Sequence, residues 1–104
     1  MRLTYPTALV LQALLDGRHH GFDIMDATGL PSGTVYPILR RLDAEGVLRS
    51  RWEREAVARK EQRPARRYYE LTAGGRAVAR EAVTRAQGLA EAGRRLFAPS
   101  ESEG

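Results

Sequence analysis

Residues 29–46 read GLPSGTVYPILRRLDAEG, and this stretch decides the fold. Val35, Ile38, Leu39 and Leu42 recur at i, i+3, i+4 and i+7, the spacing of a single apolar stripe along a helix, and Gly46 ends the segment. At about 100° per residue, Gly33, Pro37, Arg40 and Ala44 point away from that stripe, with Tyr36 and Arg41 on its flanks. One face is therefore suited to burial, while the other is shallow, polar and basic. Ser32 can cap this helix, but Pro37 lacks the donor for its i−4 bond, so a start at Thr34 competes with a start at Ser32.

Upstream, Tyr5 to Asp16 reads as a first helix: Pro6 suits its first turn, Leu11, Leu14 and Leu15 share a side, and Gly17 supplies a left-handed stop. Phe22 to Thr28 reads as a second, brief helix with Phe22 and either Met25 or Ile24 turned inward, ended by Gly29, Leu30 and Pro31. Downstream, Val47 to Glu53 alternates as a half-buried strand does, with Leu48 and Trp52 on one side and Arg49 and Arg51 on the other. Arg67-Tyr68-Tyr69-Glu70-Leu71 is a matching strand, so the two pair as a hairpin with a long charged tip from Glu55 to Arg66. Tyr68 and Tyr69 face opposite sides of it, one toward the core. Thr72 then caps a last helix to about Phe97, about 37 Å long at 1.5 Å per residue. Its stripe of Val78, Ala82, Leu89 and Leu96 needs a partner.

The chain has 104 residues and no cysteine, which excludes disulfides, thiolate metal sites and a cysteine nucleophile. Its net charge is +4, and the segment from Arg40 to Arg67 holds ten basic against five acidic residues, more than the whole excess. Such a segment fits a polyanion, and nucleic acid fits better than a membrane because no lysine-rich amphipathic stretch is present. The apolar run before Asp16 is too short to span a membrane and lacks a cleavage site, so a soluble cytoplasmic protein is expected. His19 and His20 lie near Asp16 and Asp23, but adjacent histidines on an extended chain point apart and no further His or Cys completes a metal site. Ser32 has no histidine at helical spacing, and neither a phosphate-cradling loop nor a paired-carboxylate signature exists, so neither an enzyme nor a cofactor is expected.

Helix, short helix, tight turn, amphipathic helix, strand, basic loop, strand and long helix is the order of a winged helix-turn-helix, mainly α with a small β-hairpin wing. The chain then divides into a DNA-binding domain over 1–71, a long C-terminal dimerisation helix over 72–98 and a disordered tail over 99–104. A recognition helix buries one side and offers its N-terminal end to the major groove, while a basic hairpin reaches the flanking backbone. The expected DNA-binding residues are Ser32, Gly33, Thr34, Tyr36, Pro37, Arg40 and Arg41, with Arg59, Lys60, Arg63 and Arg66 in the hairpin tip. Tyr36 also reads as packing, and the basic tip as a solvated turn. Pairing of two copies is expected through Leu11, Leu15, Val78, Ala82, Leu89, Leu96 and Phe97. Trp52 reads either as a core or interface residue or as a stacking platform for a flat aromatic ligand. The rival to DNA binding is a winged-helix protein-interaction module, which would favour exposed apolar anchors on the outer face of the third helix.

His20-Gly21-Phe22-Asp23-Ile24, the run from Gly29 to Leu42, Glu45-Gly46, and Arg67-Tyr68-Tyr69-Glu70-Leu71-Thr72 with Gly75 resemble the PadR-like transcriptional regulators. The likeness covers Leu9 to about Gly75 and is most specific in its middle block. It implies a homodimeric, ligand-responsive repressor on a palindromic operator in double-stranded DNA, with Ser32, Thr34, Tyr36 and Arg40 at or near the DNA and the last helix in the dimer interface. A small aromatic or hydrophobic effector would then lie near Trp52 and Phe97. Three departures stand out: Phe22 replaces a commoner Tyr and loses a hydroxyl contact, the stretch from Gly21 to Ser32 is short, and only 33 residues follow Leu71. One dimerising helix fits there, and a large separate effector domain does not.

Overall fold

A computed structural model describes residues 3–97. The order is α1 (Tyr5–Leu15), α2 (Gly21–Thr28), α3 (Ser32–Ala44), β1 (Leu48–Trp52), α4 (Glu55–Lys60), β2 (Arg67–Leu71) and α5 (Ala73–Phe97). The tail beyond Phe97, and with it the expected disorder over 99–104, lies outside the described residues.

Local chemistry sets the helix ends. The Thr4 hydroxyl accepts the Thr7 N–H at 3.3 Å and caps α1, while His20 Nδ1 accepts the Asp23 N–H at 3.4 Å and caps α2. For α3 the cap is Pro31 in extended conformation with no side-chain bond, so Ser32 is the first helical residue and not the cap. Pro37 stays inside α3 because the carbonyl it leaves without a partner belongs to Gly33, an exposed residue on the outer face. Gly46, at φ +75°, turns the chain out of α3 in a conformation that Cβ-bearing residues disfavour, and Val47 N–H closes the turn on Leu42 O at 3.0 Å.

The apolar stripe of α3 is the centre of the core. Val35, Ile38, Leu39 and Leu42 are buried together with Val10, Leu11 and Leu14 of α1, Ile24 of α2 and Leu48, Tyr69 and Leu71 of the hairpin. Leu11, expected at a dimer interface, is fully enclosed, because α1 is packed by α2, α3, β2 and α5; Leu15 is half-buried at its end. Phe22 also departs from expectation. The inward side of α2 is Gly21, Ile24, Met25 and Thr28, and Phe22, one residue round from Gly21, is 68% exposed.

β1 and β2 pair antiparallel with Leu48 opposite Leu71, Ser50 opposite Tyr69 and Trp52 opposite Arg67. These pairs share a face, and its inner end is core. Trp52 lies four residues out from Leu48, about 13 Å at the rise of a strand, past the edge of the packed helices. It is 63% exposed, which overturns its reading as a core residue. Tyr69 is the inward tyrosine, and its N–H donates to His19 O at 2.6 Å, so the α1–α2 link extends the hairpin edge.

α5 lies on α1 through small residues, Ala79, Ala82 and Val83, all buried. Its start is fixed by Thr72, whose hydroxyl donates to Gly46 O at 2.8 Å and accepts the Gly75 N–H at 2.9 Å. Gly75 is necessary there: a Cβ would overlap the backbone carbonyl oxygen of Val47.

Candidate nucleic-acid interface

The outer face of α3 is open. Ser32, Gly33, Pro37, Arg40, Arg41 and Ala44 are exposed, and Thr34 is half-buried. Arg40 makes no ion pair among the described residues, whereas Arg41 Nη2 donates to the Thr7 hydroxyl at 2.9 Å and is tied to α1. Tyr36 is half-buried with its ring over Gly21, where a Cβ would overlap the phenol. The face carries no exposed large apolar anchor, since the exposed Tyr5, Phe22, Trp52, Val57, Val78, Leu89 and Leu96 all lie on other elements.

The hairpin tip is not an irregular loop. Residues Glu55 to Lys60 form α4, and Gln62 at φ 55° ends it, with Arg63 N–H returning to Ala58 O at 3.1 Å. What ties the segment after α4 to the strands is Glu53, only 7% exposed. Its carboxylate accepts from Arg63 Nη1 at 2.6 Å and Nη2 at 2.9 Å, from the Tyr68 hydroxyl at 2.8 Å and from the Arg66 backbone N–H at 3.4 Å. The Arg63 hydrogen bonds, outweighing burial and helped by Tyr68 and Arg66, hold the Glu53 carboxyl at about 2, against an ordinary 4.5. The same bond to Glu53 pushes the Tyr68 phenol up, and burial pushes up that of Tyr69.

Arg63 therefore is not the free cation expected of it; its fork is closed on a buried carboxylate. Alternation places Glu53 on the outward face with Arg49 and Arg51, and it is buried because Arg63, Tyr68 and the Arg66 backbone close on its carboxylate. No local signal in the sequence announces this. The remaining cations differ in freedom. Arg59 pairs with Glu55 at 3.5 Å and Arg49 with Glu70 at 3.3 Å, both exposed, while Arg51 lies 5.3 Å from the centre of the Tyr68 ring. Arg54 and Lys60 are exposed and unpaired among the described residues.

The expected pairing residues separate into two groups. Ala82 is buried under α1, but Val78, Leu89 and Leu96 are 38%, 68% and 76% exposed and lie within about 20° of one another around α5. The Phe97 side chain lies outside the described residues. Two clefts border Trp52, and among the described residues no part of α5 lines either, so the protomer does not bring Trp52 to the end of α5. His20 is engaged as the α2 cap, and among the described residues no cluster of His, Cys, Asp and Glu could hold a metal. Among them, too, no helix is long and apolar enough to cross a membrane.

The geometry has counterparts. The chain superimposes on a PadR family transcription regulator from Clostridium difficile R20291 with a TM-score of 0.73 and 19% identity, covering 90% of this chain and 99% of that one. A PadR family transcriptional regulator from Eggerthella lenta gives 0.65 and 25%, covering 89% and 84%. Bordetella bronchiseptica BpsR, whose DNA binding is regulated by 6-hydroxynicotinic acid, gives 0.71 and 24%, covering 97% and 67%. No curated protein matches the chain significantly. The profile of the transcriptional regulator PadR-like family matches residues 10–81, from the middle of α1 through the hairpin into α5. The chain belongs to the PadR-like family of DNA-binding transcriptional regulators, whose members are transcription factors and not enzymes.

Proposed function

We propose that this chain acts in the cytoplasm as a homodimeric repressor that binds a palindromic operator and is released by a small aromatic or hydrophobic effector. The observation that carries the reading is the outer face of α3: exposed, free of large apolar anchors, and bearing an Arg40 that is unpaired among the described residues, beside a basic hairpin. That combination favours DNA over a protein-docking role. Ser32, Gly33, Thr34, Tyr36, Pro37, Arg40 and Arg41 face the major groove in this reading, with Arg59, Lys60 and Arg66 on the flanking backbone. Pairing is supported by the exposed Val78, Leu89 and Leu96, which share one line along α5. Two copies joined along residues 72–98 set their α3 helices about 34 Å apart, one duplex turn. Effector release is supported by the similar fold of BpsR, whose DNA binding responds to a small aromatic acid. The effector favours the dimer whose spacing does not match the operator, at about 1.4 kcal/mol for each tenfold loss of affinity.

The deciding experiment is titration of the protein against its own promoter fragment and a random duplex of equal length at several salt concentrations, with the mass of the complex measured. A dimer that prefers the promoter, and whose binding weakens steeply with salt, supports the reading. Equal, weak binding to both duplexes overturns it. Arg40→Ala is expected to lower discrimination between operators by about 1–3 kcal/mol.

A further inference from the structure

Phe22 and Trp52 are large aromatic rings left 68% and 63% exposed, and both line one cleft. The cleft has a volume of about 520 Å³ and lies between the start of α2, α3 and the outer end of the hairpin. Tyr36 and Tyr69, half-buried and buried, form its floor. Around α3, Tyr36 stands only about 40° from Arg40, so the cleft opens directly beside the outer face of that helix.

The cations in the cleft are unequally engaged. Arg63 is closed on Glu53, and Arg67 donates to the Ser50 hydroxyl at 2.7 Å, lies 3.9 Å from Asp43 and sits over one part of the Trp52 ring, 5.5 Å from its centre, which leaves the rest of that ring exposed. Arg66 has no carboxylate among the described residues. Its Nη1 lies 3.5 Å from His20 Nε2, a long contact that leaves the positive charge without an anion. A half-buried guanidinium with no carboxylate among the described residues, in a cleft with two exposed rings, calls for an anion flanked by apolar surface.

We propose that this cleft seats one sugar–phosphate strand of the duplex, with a phosphate on Arg66 and adjoining deoxyribose faces against Phe22 and Trp52. The proposal rests on the DNA-binding reading and deepens it. Continuity with the outer face of α3 favours a strand over a free small molecule, because a duplex seated on that face covers the cleft. It also gives the two rings a role that neither the core nor α5 provides.

Trp52 is the only tryptophan in the chain, so its emission reports on the surroundings of this one ring. Saturation with duplex, followed independently by the anisotropy of labelled DNA, is expected to quench or shift that emission. Phe22→Ala and Trp52→Ala are each expected to weaken binding to operator and random duplex about tenfold, with the salt slope unchanged, because an apolar contact releases no counterions. Trp52→Phe should recover most of the loss. Arg66→Ala should instead make the slope shallower by about 0.9. Circular dichroism of each variant checks the fold, and the unmodified protein carries the fluorescence test regardless. Duplex binding with unchanged Trp52 emission and unchanged affinity of the two ring variants overturns the proposal and leaves DNA binding standing. Quenching by benzoate but not by bound duplex overturns it in favour of a small-molecule pocket. No duplex binding at all overturns the DNA-binding reading, and the proposal with it.

Discussion

Gly74 and Gly75 are neighbours in the first turn of α5, and alanine at each is expected to change stability with opposite sign. At Gly74 an added Cβ meets nothing within 4 Å, so Gly74→Ala reduces only the freedom of the unfolded chain and stabilises by about 0.5–1 kcal/mol. At Gly75 the Cβ overlaps the Val47 carbonyl oxygen and comes within 2.8 Å of the Thr72 hydroxyl. That carbonyl accepts the Thr72 N–H at 3.1 Å, and the Thr72 hydroxyl accepts the Gly75 N–H at 2.9 Å, so the overlap is relieved only by lifting α5 from the hairpin and loosening both bonds. Overpacking of about 1–3 kcal/mol and about 1 kcal/mol for each bond, less the helix gain, leave Gly75→Ala less stable by about 2–4 kcal/mol. At about 4–8 °C per kcal/mol, its Tm falls by roughly 10–25 °C while that of Gly74→Ala rises by a few degrees. The assay is thermal melting followed by circular dichroism at one fixed protein concentration, since pairing makes Tm concentration-dependent. Shifts of the same sign and size would refute the reasoning and mean that α5 does not begin against Val47.

Three further outcomes are expected. Because folding lowers the Glu53 pKa to about 2, its contribution to stability is full above about pH 4.5 and is lost as pH falls toward 2. Acid titration of Glu53→Gln against the parent should show a smaller loss in that window, and parallel curves would remove Glu53 from the anchor. Arg63→Ala is expected to lower Tm while leaving the salt slope of DNA binding unchanged, since its fork is engaged within the hairpin; a shallower slope measured by anisotropy returns Arg63 to the phosphate contacts. Leu89→Glu with Leu96→Glu should halve the particle mass by light scattering with unaltered helix content, and a mass that stays at two chains excludes α5 as the seam.

Much of the interface is legible in the sequence because its signals are periodic and local. The α3 stripe, its polar opposite face, the pairing of residues 48–52 with 67–71 and the inward turn of one tyrosine all follow from periods of 3.6 and 2. Leu11, Phe22, Trp52 and Glu53 were beyond that reach. Periodicity says which side of an element a residue occupies, and these four depend on whether another element covers that side. α1 is enclosed on several sides, so Leu11 is core; β1 runs outward from the core, so Trp52 is exposed; Arg63 and Tyr68 close on Glu53 from outside its strand, so it is buried.

By itself the sequence determined the kind of protein this is: the order of elements, the apolar and polar faces of α3 and the family likeness are carried by contiguous stretches with their own caps, turns and stripes. Only the tertiary structure decided which cations are free, because a guanidinium is available to a phosphate only where no carboxylate reaches it first. Arg63 meets Glu53 from ten residues away and is closed, whereas Arg66, three residues on, enters a cleft with two exposed aromatic rings and no carboxylate partner among the described residues. The two arginines share a loop and a composition, and long-range packing alone makes one structural and leaves the other open.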